Sequence, residues 1–174
     1  MSLHQLRHRC QALARELEFP EPFSAEALCG LIAEKRGRRL YLHPLPPLSG
    51  EGAPCGMWVA TTAADHVYFE AATSPLHQEH IILHEVAHML CGHTMPGLGE
   101  PADAEGLERG AEPDPELIRN ALARTRYTSN DEQEAEMVAS VILEERARRV
   151  TPPAPREVGL LEEMFGISGG DRRA

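Results

Sequence analysis

Apolar positions recur along this chain with two different periods, and the switch between them places most of its elements. Leu3, Leu6, Cys10, Leu13 and Leu17 are spaced by three or four, which predicts a helix from about Ser2 to Glu18 with that stripe packed on the rest of the domain. Ser24 stands ahead of Glu26 and Ala27 as an N-cap, so a second helix is predicted over Ser24 to Arg36. The period then shortens to two. Arg39 to His43 reads as a short strand, and Leu45 to Pro54, with its prolines and glycines, as a loop. Met57 to Thr61 and His66 to Ala71 alternate sides across a short turn, which predicts an antiparallel hairpin.

Helical spacing returns after the hairpin. Ser74 and Pro75 supply an N-cap and a first-turn proline, Leu76, Ile81, Ile82, Leu83, Val86, Ala87, Met89 and Leu90 a largely buried helix, and Gly92 its end. Asn130 to Ser140 predicts another helix, with Ala135, Val138, Ala139 and Ile142 as its buried stripe. Between the two, Met95 to Pro115 is rich in Gly, Pro, Asp and Glu without periodicity, and reads as an exposed loop. A helix is expected from near Asp114 to Arg124. Pro152, Pro153 and Pro155 set off a final short helix around Glu157 to Phe165 from a polar tail.

The apolar helix carries its polar residues in one place. His84 to His88 read HEVAH, and two histidines four apart lie about 40° apart around a helix, so both imidazoles can reach one metal ion. Two histidines and a glutamate among so many apolar residues need partners. Zinc suits such a pair, and Glu85 can act as general base on water at a three-ligand zinc site. The third ligand must come from elsewhere. His93 would lie about half a turn from His84 if the helix persisted, and falls one residue short of the spacing HExxHxxGxxH; it is expected to cap the helix C-terminus or face solvent. Cys91, three residues beyond His88, is a rival that would have to reach back past the helix end. Glu132 is the better choice, since a carboxylate from a facing helix completes the two-His-one-Glu set of a thermolysin-like hydrolase. Glu136 shares its face one turn on and can hold a ligand histidine from behind. Glu134 sits about 200° round the helix from Glu132 and is expected to be a solvated bystander. For a donor to a developing oxyanion, Tyr127, Arg126, Arg124, His66, His77 and His80 qualify by type only.

The pairing of HEVAHMLCGH with a later ExEAx-apolar-x-A resembles the ImmA/IrrE metallopeptidases, over about Met57 to Leu143. Carried over by position, His84, His88 and Glu132 match that family's zinc ligands and Glu85 its catalytic base. Glu136 stands where the family usually has Asn or Asp, Val138 where Phe is common, and Glu144-Glu145 where many members carry Met-Pro, so this helix is expected to run on toward Arg149. The resemblance implies a zinc-dependent peptidase whose protein substrate is a regulatory partner such as a helix-turn-helix repressor or an antitoxin, in stress responses or toxin-antitoxin pairs. It further implies a hairpin strand along the cleft, where extended substrate can add by backbone hydrogen bonds; for Val67 and Phe69 plain sheet core is the competing reading. The alternative function is a zinc-binding regulator that senses metal or sequesters a transcription factor without cutting it, although Glu85 would then have no task.

Size and composition fit this picture. A chain of 174 residues, 42% hydrophobic and 25% charged, has the length and make-up of a single globular domain. The expected class is α+β: a mainly helical domain over 1–174, with N-terminal helices over 1–37, a zinc core over 38–151 that includes the loop 95–115, and a short helix and tail over 152–174. Its small antiparallel sheet should lie beside the HExxH helix. A formal net charge of -10 counts against a broad basic surface, so no direct nucleic-acid binding is expected. Cys10, Cys29, Cys55 and Cys91 form no CxxC pair and read as reduced, buried thiols. No apolar run is long enough for a membrane span and no signal-peptide core is visible, so the expected location is the cytoplasm, with no membrane partner.

Overall fold

A computed structural model describes residues 2–45, 55–61, 63–93 and 127–150. These residues form α1 (Leu3–Arg15), α2 (Ala25–Arg36), β1 (Arg39–Leu45), β2 (Gly56–Ala60), β3 (Ala64–Glu70), α3 (Pro75–Cys91) and α4 (Ser129–Val150), an α+β arrangement of helices around one small mixed sheet. The expected loop 95–115, the helix from Asp114 to Arg124, the helix around Glu157 to Phe165 and most of the loop Leu45 to Pro54 lie outside the described residues.

Serine caps set the helix starts. Ser24 Oγ accepts from the Ala27 N–H at 3.0 Å, Ser74 Oγ from His77 at 3.3 Å, and Ser2 forms a reciprocal capping box with Gln5. Gly37 and Gly92 end α2 and α3 in the left-handed region, at φ 63° and 69°, where a side chain would be strained. Helix α1 stops at Arg15, short of the expected Glu18. Its buried row advances in steps of four, through Leu6, Cys10 and Ala14, and Leu3 at the helix start is 63% exposed instead of packed.

The sheet has the order β1-β3-β2, with β3 in the centre. The hairpin of β2 and β3 is antiparallel as expected, from Gly56 opposite Phe69 to Ala60 opposite Asp65. The wholly antiparallel sheet is not: β1 runs parallel to β3, from Arg39 beside Ala64 to Leu45 beside Glu70. Two-residue alternation is the same read in either direction, so it marks a strand without giving its direction. A buried carboxylate fixes the hairpin. Asp65 accepts from Arg38 Nε at 3.0 Å and Trp58 Nε1 at 3.1 Å, while the Arg38 guanidinium also reaches the carbonyls of Thr61 and Ala64.

Helix α3 packs on β2, β3 and α4, and one core runs through all four helices and the sheet. Leu28, Val67, Leu83, Val86, Ala87, Val138, Ala139 and Ile142 are fully buried there; each large side chain removed from water contributes roughly 1.5–3 kcal/mol before the entropy of ordering it. Val67 is thus sheet core, and Phe69 packs partly against the same cluster. Among the described residues no helix is long and apolar enough to cross a membrane.

Candidate metal centre

Helix α3 sets His84 and His88 one turn apart, with Nε2 atoms 3.1 Å from each other. Helix α4 crosses close by, with small residues at the crossing: Ala87 on α3 and Ala135 and Ala139 on α4 are fully buried. That approach brings Glu132 to the histidines, Oε2 lying 3.2 Å from His84 Nε2 and Oε1 3.9 Å from His88 Nε2. One ligand atom from each of the three lies within 4.8 Å of the others. Around a tetrahedral zinc with bonds of about 2.0–2.1 Å, neighbouring donor atoms stand about 3.3 Å apart, so the set fits that ion. Exposure rises across it, from 0% for the His88 side chain to 18% for His84 and 48% for Glu132, which leaves an open side toward solvent. Burial, then the neighbouring His84 and His93, lower the His88 pKa to about 3, so this imidazole keeps the neutral form that a ligand needs.

Glu85 turns toward the sheet. Its side chain meets the outer edge of β2, where the Trp58 backbone N–H donates to it, and its Oε2 is buried with no partner. Burial first, and the Glu132 charge second, raise its pKa to about 8, with the Trp58 N–H opposing the rise. Gly56 makes the approach possible: a Cβ there would stand 2.7 Å from Ile81 Cγ2 and 2.9 Å from Glu85 Oε1. Neither Gly56 nor the Trp58 N–H is apparent from the sequence, because a glycine at a strand start looks like any other turn residue.

Behind the convergent atoms stands a layer of supports. Glu136 Oε2 lies 3.4 Å from His84 Nδ1 and 3.1 Å from His80 Nε2, so it sits between two imidazoles. The Tyr127 ring stacks on His88 with centroids 3.5 Å apart, and its hydroxyl is buried without a partner. Burial, then the charges of Glu85, Glu132 and Asp131, push its pKa up and keep it protonated. Of the other donors named by type, His80 is taken up by Glu136 and the rest fall elsewhere. His77 is exposed beside Thr73, at 2.9 Å from its hydroxyl; His66 lies on the sheet face opposite Val67 and pairs with His43 at 2.9 Å; Arg124 and Arg126 lie outside the described residues.

Three expectations are corrected, on His93, Glu134 and the cysteines. His93 does not face solvent: it is 8% exposed, and its Nδ1 lies 2.9 Å from His88 Nδ1. Its backbone does cap the helix, since the His93 N–H donates to His88 O at 3.0 Å and the Gly92 N–H to Met89 O at 3.3 Å. Those two bonds define a Schellman end, in which the residue after the glycine folds back over the residue five before it. That was the available signal. Glu134 does point away from Glu132's partners, but it is no solvated bystander: only 16% exposed, it pairs with Arg9 at 2.6 Å and lies 3.5 Å from His93 Nε2. With Cys91 and His93 it forms a second group whose ligand atoms lie within 4.8 Å of one another. All four cysteines are free, and Cys55 and Cys91 are half-buried where full burial was expected. No protein-family model, no curated protein and no solved structure matches this chain.

Proposed function

We propose that this chain is a zinc-dependent peptidase, with His84, His88 and Glu132 as the metal ligands and Glu85 as the base. The observation that carries it is the pairing of a convergent two-His-one-Glu set with an adjacent buried carboxylate whose Oε2 has no partner. A buried acceptor left open costs free energy, which is tolerated where a reacting group is to occupy the space.

His84, His88 and Glu132 would hold the zinc, which would supply a Lewis acid and a water with its pKa lowered to roughly 7. Glu85, its Oε2 open beside the ligand set, would in its carboxylate form take a proton from water and hand it on to the leaving amine. The Tyr127 hydroxyl, protonated and unpartnered, is the donor best suited to the oxyanion. Among the described residues strand β2 is an edge strand beside Glu85, so an extended peptide can lie along it by backbone hydrogen bonds. Glu136 orients His84 through Nδ1.

The resemblance to ImmA/IrrE peptidases and their thermolysin-like core supports the same reading, and with it a helix-turn-helix repressor or antitoxin as substrate. The competing reading, a zinc-binding regulator that does not cut, leaves the open carboxylate of Glu85 without a task. Incubating the zinc-loaded chain with such a regulator tests the choice. Cleavage should appear with zinc and vanish with chelator or in Glu85→Gln; zinc uptake and complex formation without cleavage would favour the regulator.

A further inference from the structure

The contact between His88 and His93 has a consequence in proton arithmetic. A neutral imidazole carries one N–H and one lone pair. If His88 offers its Nε2 lone pair to a metal, as proposed above, its proton is on Nδ1, which lies 2.9 Å from His93 Nδ1. His93 Nδ1 must then accept, so its own proton sits on Nε2. That nitrogen faces Glu134 Oε2 at 3.5 Å and Asp131 Oδ1 at 3.7 Å, and Glu134 is held in turn by Arg9 at 2.6 Å.

We infer that His93 is a positioning residue: resting on the zinc reading above, it fixes the tautomer and ring angle of His88 and ties the centre to α1 through Glu134 and Arg9. Ligand histidines generally donate their second ring nitrogen to a carboxylate, carbonyl or water. Here a second imidazole takes that place, carried there by the turn after Gly92. A corollary concerns Cys91, His93 and Glu134. Their ligand atoms also lie within 4.8 Å of one another, yet with its Nε2 protonated His93 has no lone pair left for an ion. The second group therefore supports the first and holds no metal of its own.

Nitrogen-resolved NMR of the histidine rings in the zinc-loaded wild-type chain reads the tautomers directly. His88 protonated on Nδ1 and His93 protonated on Nε2 is the expected result; His93 protonated on Nδ1 overturns the inference. Chelator competition gives an independent readout. His93→Leu should weaken zinc binding by roughly 10- to 100-fold, and His93→Asn, smaller but with an oxygen near the place of Nδ1, should restore most of it. Equal affinities for wild type, Leu and Asn variants would overturn the positioning role, as would a second zinc that disappears in Cys91→Ala. If the Leu variant does not fold, the wild-type tautomers decide alone. A wild-type chain that takes up no zinc sinks the proposed function itself, a result distinct from all of these.

Discussion

Two groups of metal-capable side chains lie between the C-terminal part of α3 and the start of α4, His84, His88 and Glu132 in one and Cys91, His93 and Glu134 in the other. In each the ligand atoms lie within 4.8 Å of one another, close enough for one ion. They differ in what those atoms already do. In the second group Glu134 is paired with Arg9 at 2.6 Å and His93 with His88 at 2.9 Å, so its charge is taken and, with the tautomer inferred above, its lone pair too. In the first, the contacts of His84 Nε2, His88 Nε2 and Glu132 are to one another, at 3.1 to 3.9 Å, an arrangement of acceptors that a cation would relieve. A cluster becomes a metal site when its lone pairs converge and remain free, and proximity alone does not distinguish the two.

The largest effect should follow from removing Glu132. Glu132→Ala leaves two ligands, and zinc should be lost on gel filtration in a chelating buffer, a loss greater than the roughly 10- to 100-fold typical of an outer partner. Cys91→Ala should keep the full complement; the reverse pattern would exchange the roles of the two groups. Next comes the base. On the proposed role, in which the side chain takes a proton without ligating, Glu85→Gln should lower the hydrolysis rate by about 10²- to 10⁴-fold with zinc content unchanged.

His88 gives the comparison a pH dependence. Its folded pKa of about 3 lies below the ordinary 6.5, so in metal-free protein it adds stability that is present above pH 6.5 and is lost as the pH falls toward 3. Melting temperatures of chelator-treated protein should therefore fall on acidification, and fall less steeply in His88→Leu. A parallel decline in both would mean that His88 is not held in its neutral form by burial.

A smaller effect is expected at the β2 side of the centre. A methyl at Gly56 stands 2.7 Å from Ile81 Cγ2, and overpacking of that kind costs about 1–3 kcal/mol. Gly56→Ala should also draw the Trp58 N–H away from Glu85, so activity should drop more than zinc affinity. Gly30 in α2 is the control: a Cβ there meets nothing within 4 Å, and Gly30→Ala should stabilise the chain by about 0.5–1 kcal/mol. Comparable destabilisation by both would remove the case for a close approach at Gly56.

How far these features were legible in the sequence depended on whether the signal was local. Helix α3 was readable from Ser74 to Gly92 because cap, proline, apolar period and glycine stop all lie within it. Glu132 was readable because an apolar stripe fixed the face of its helix. The parallel pairing of β1 with β3 was not, since strand direction depends on the path between strands. For His93 the cap was readable and its burial was not, for a related reason: the left-handed step at Gly92 turns the next residue back over His88. Glu134 was set aside because helix geometry gives a direction without naming what lies there, and what lies there is Arg9, far off in sequence on α1.

The smallest predicted effect belongs to that ion pair. The Arg9 side chain is 61% exposed and Glu134 only 16%, so solvent and salt screen the pair from one side. Exposed pairs of this type are worth about 0.2–1 kcal/mol, and Arg9→Ala should lower stability by no more than that, with the difference shrinking in 1 M salt. Zinc affinity should change only a few-fold, less than in His93→Leu, because Glu134 would still stand near His93 Nε2 after Arg9 is gone. A loss well above 2 kcal/mol that persisted in high salt would mean that Glu134 behaves as a buried charge. The second group would then be a strained site in need of a cation, and the contrast drawn between the two groups would fail.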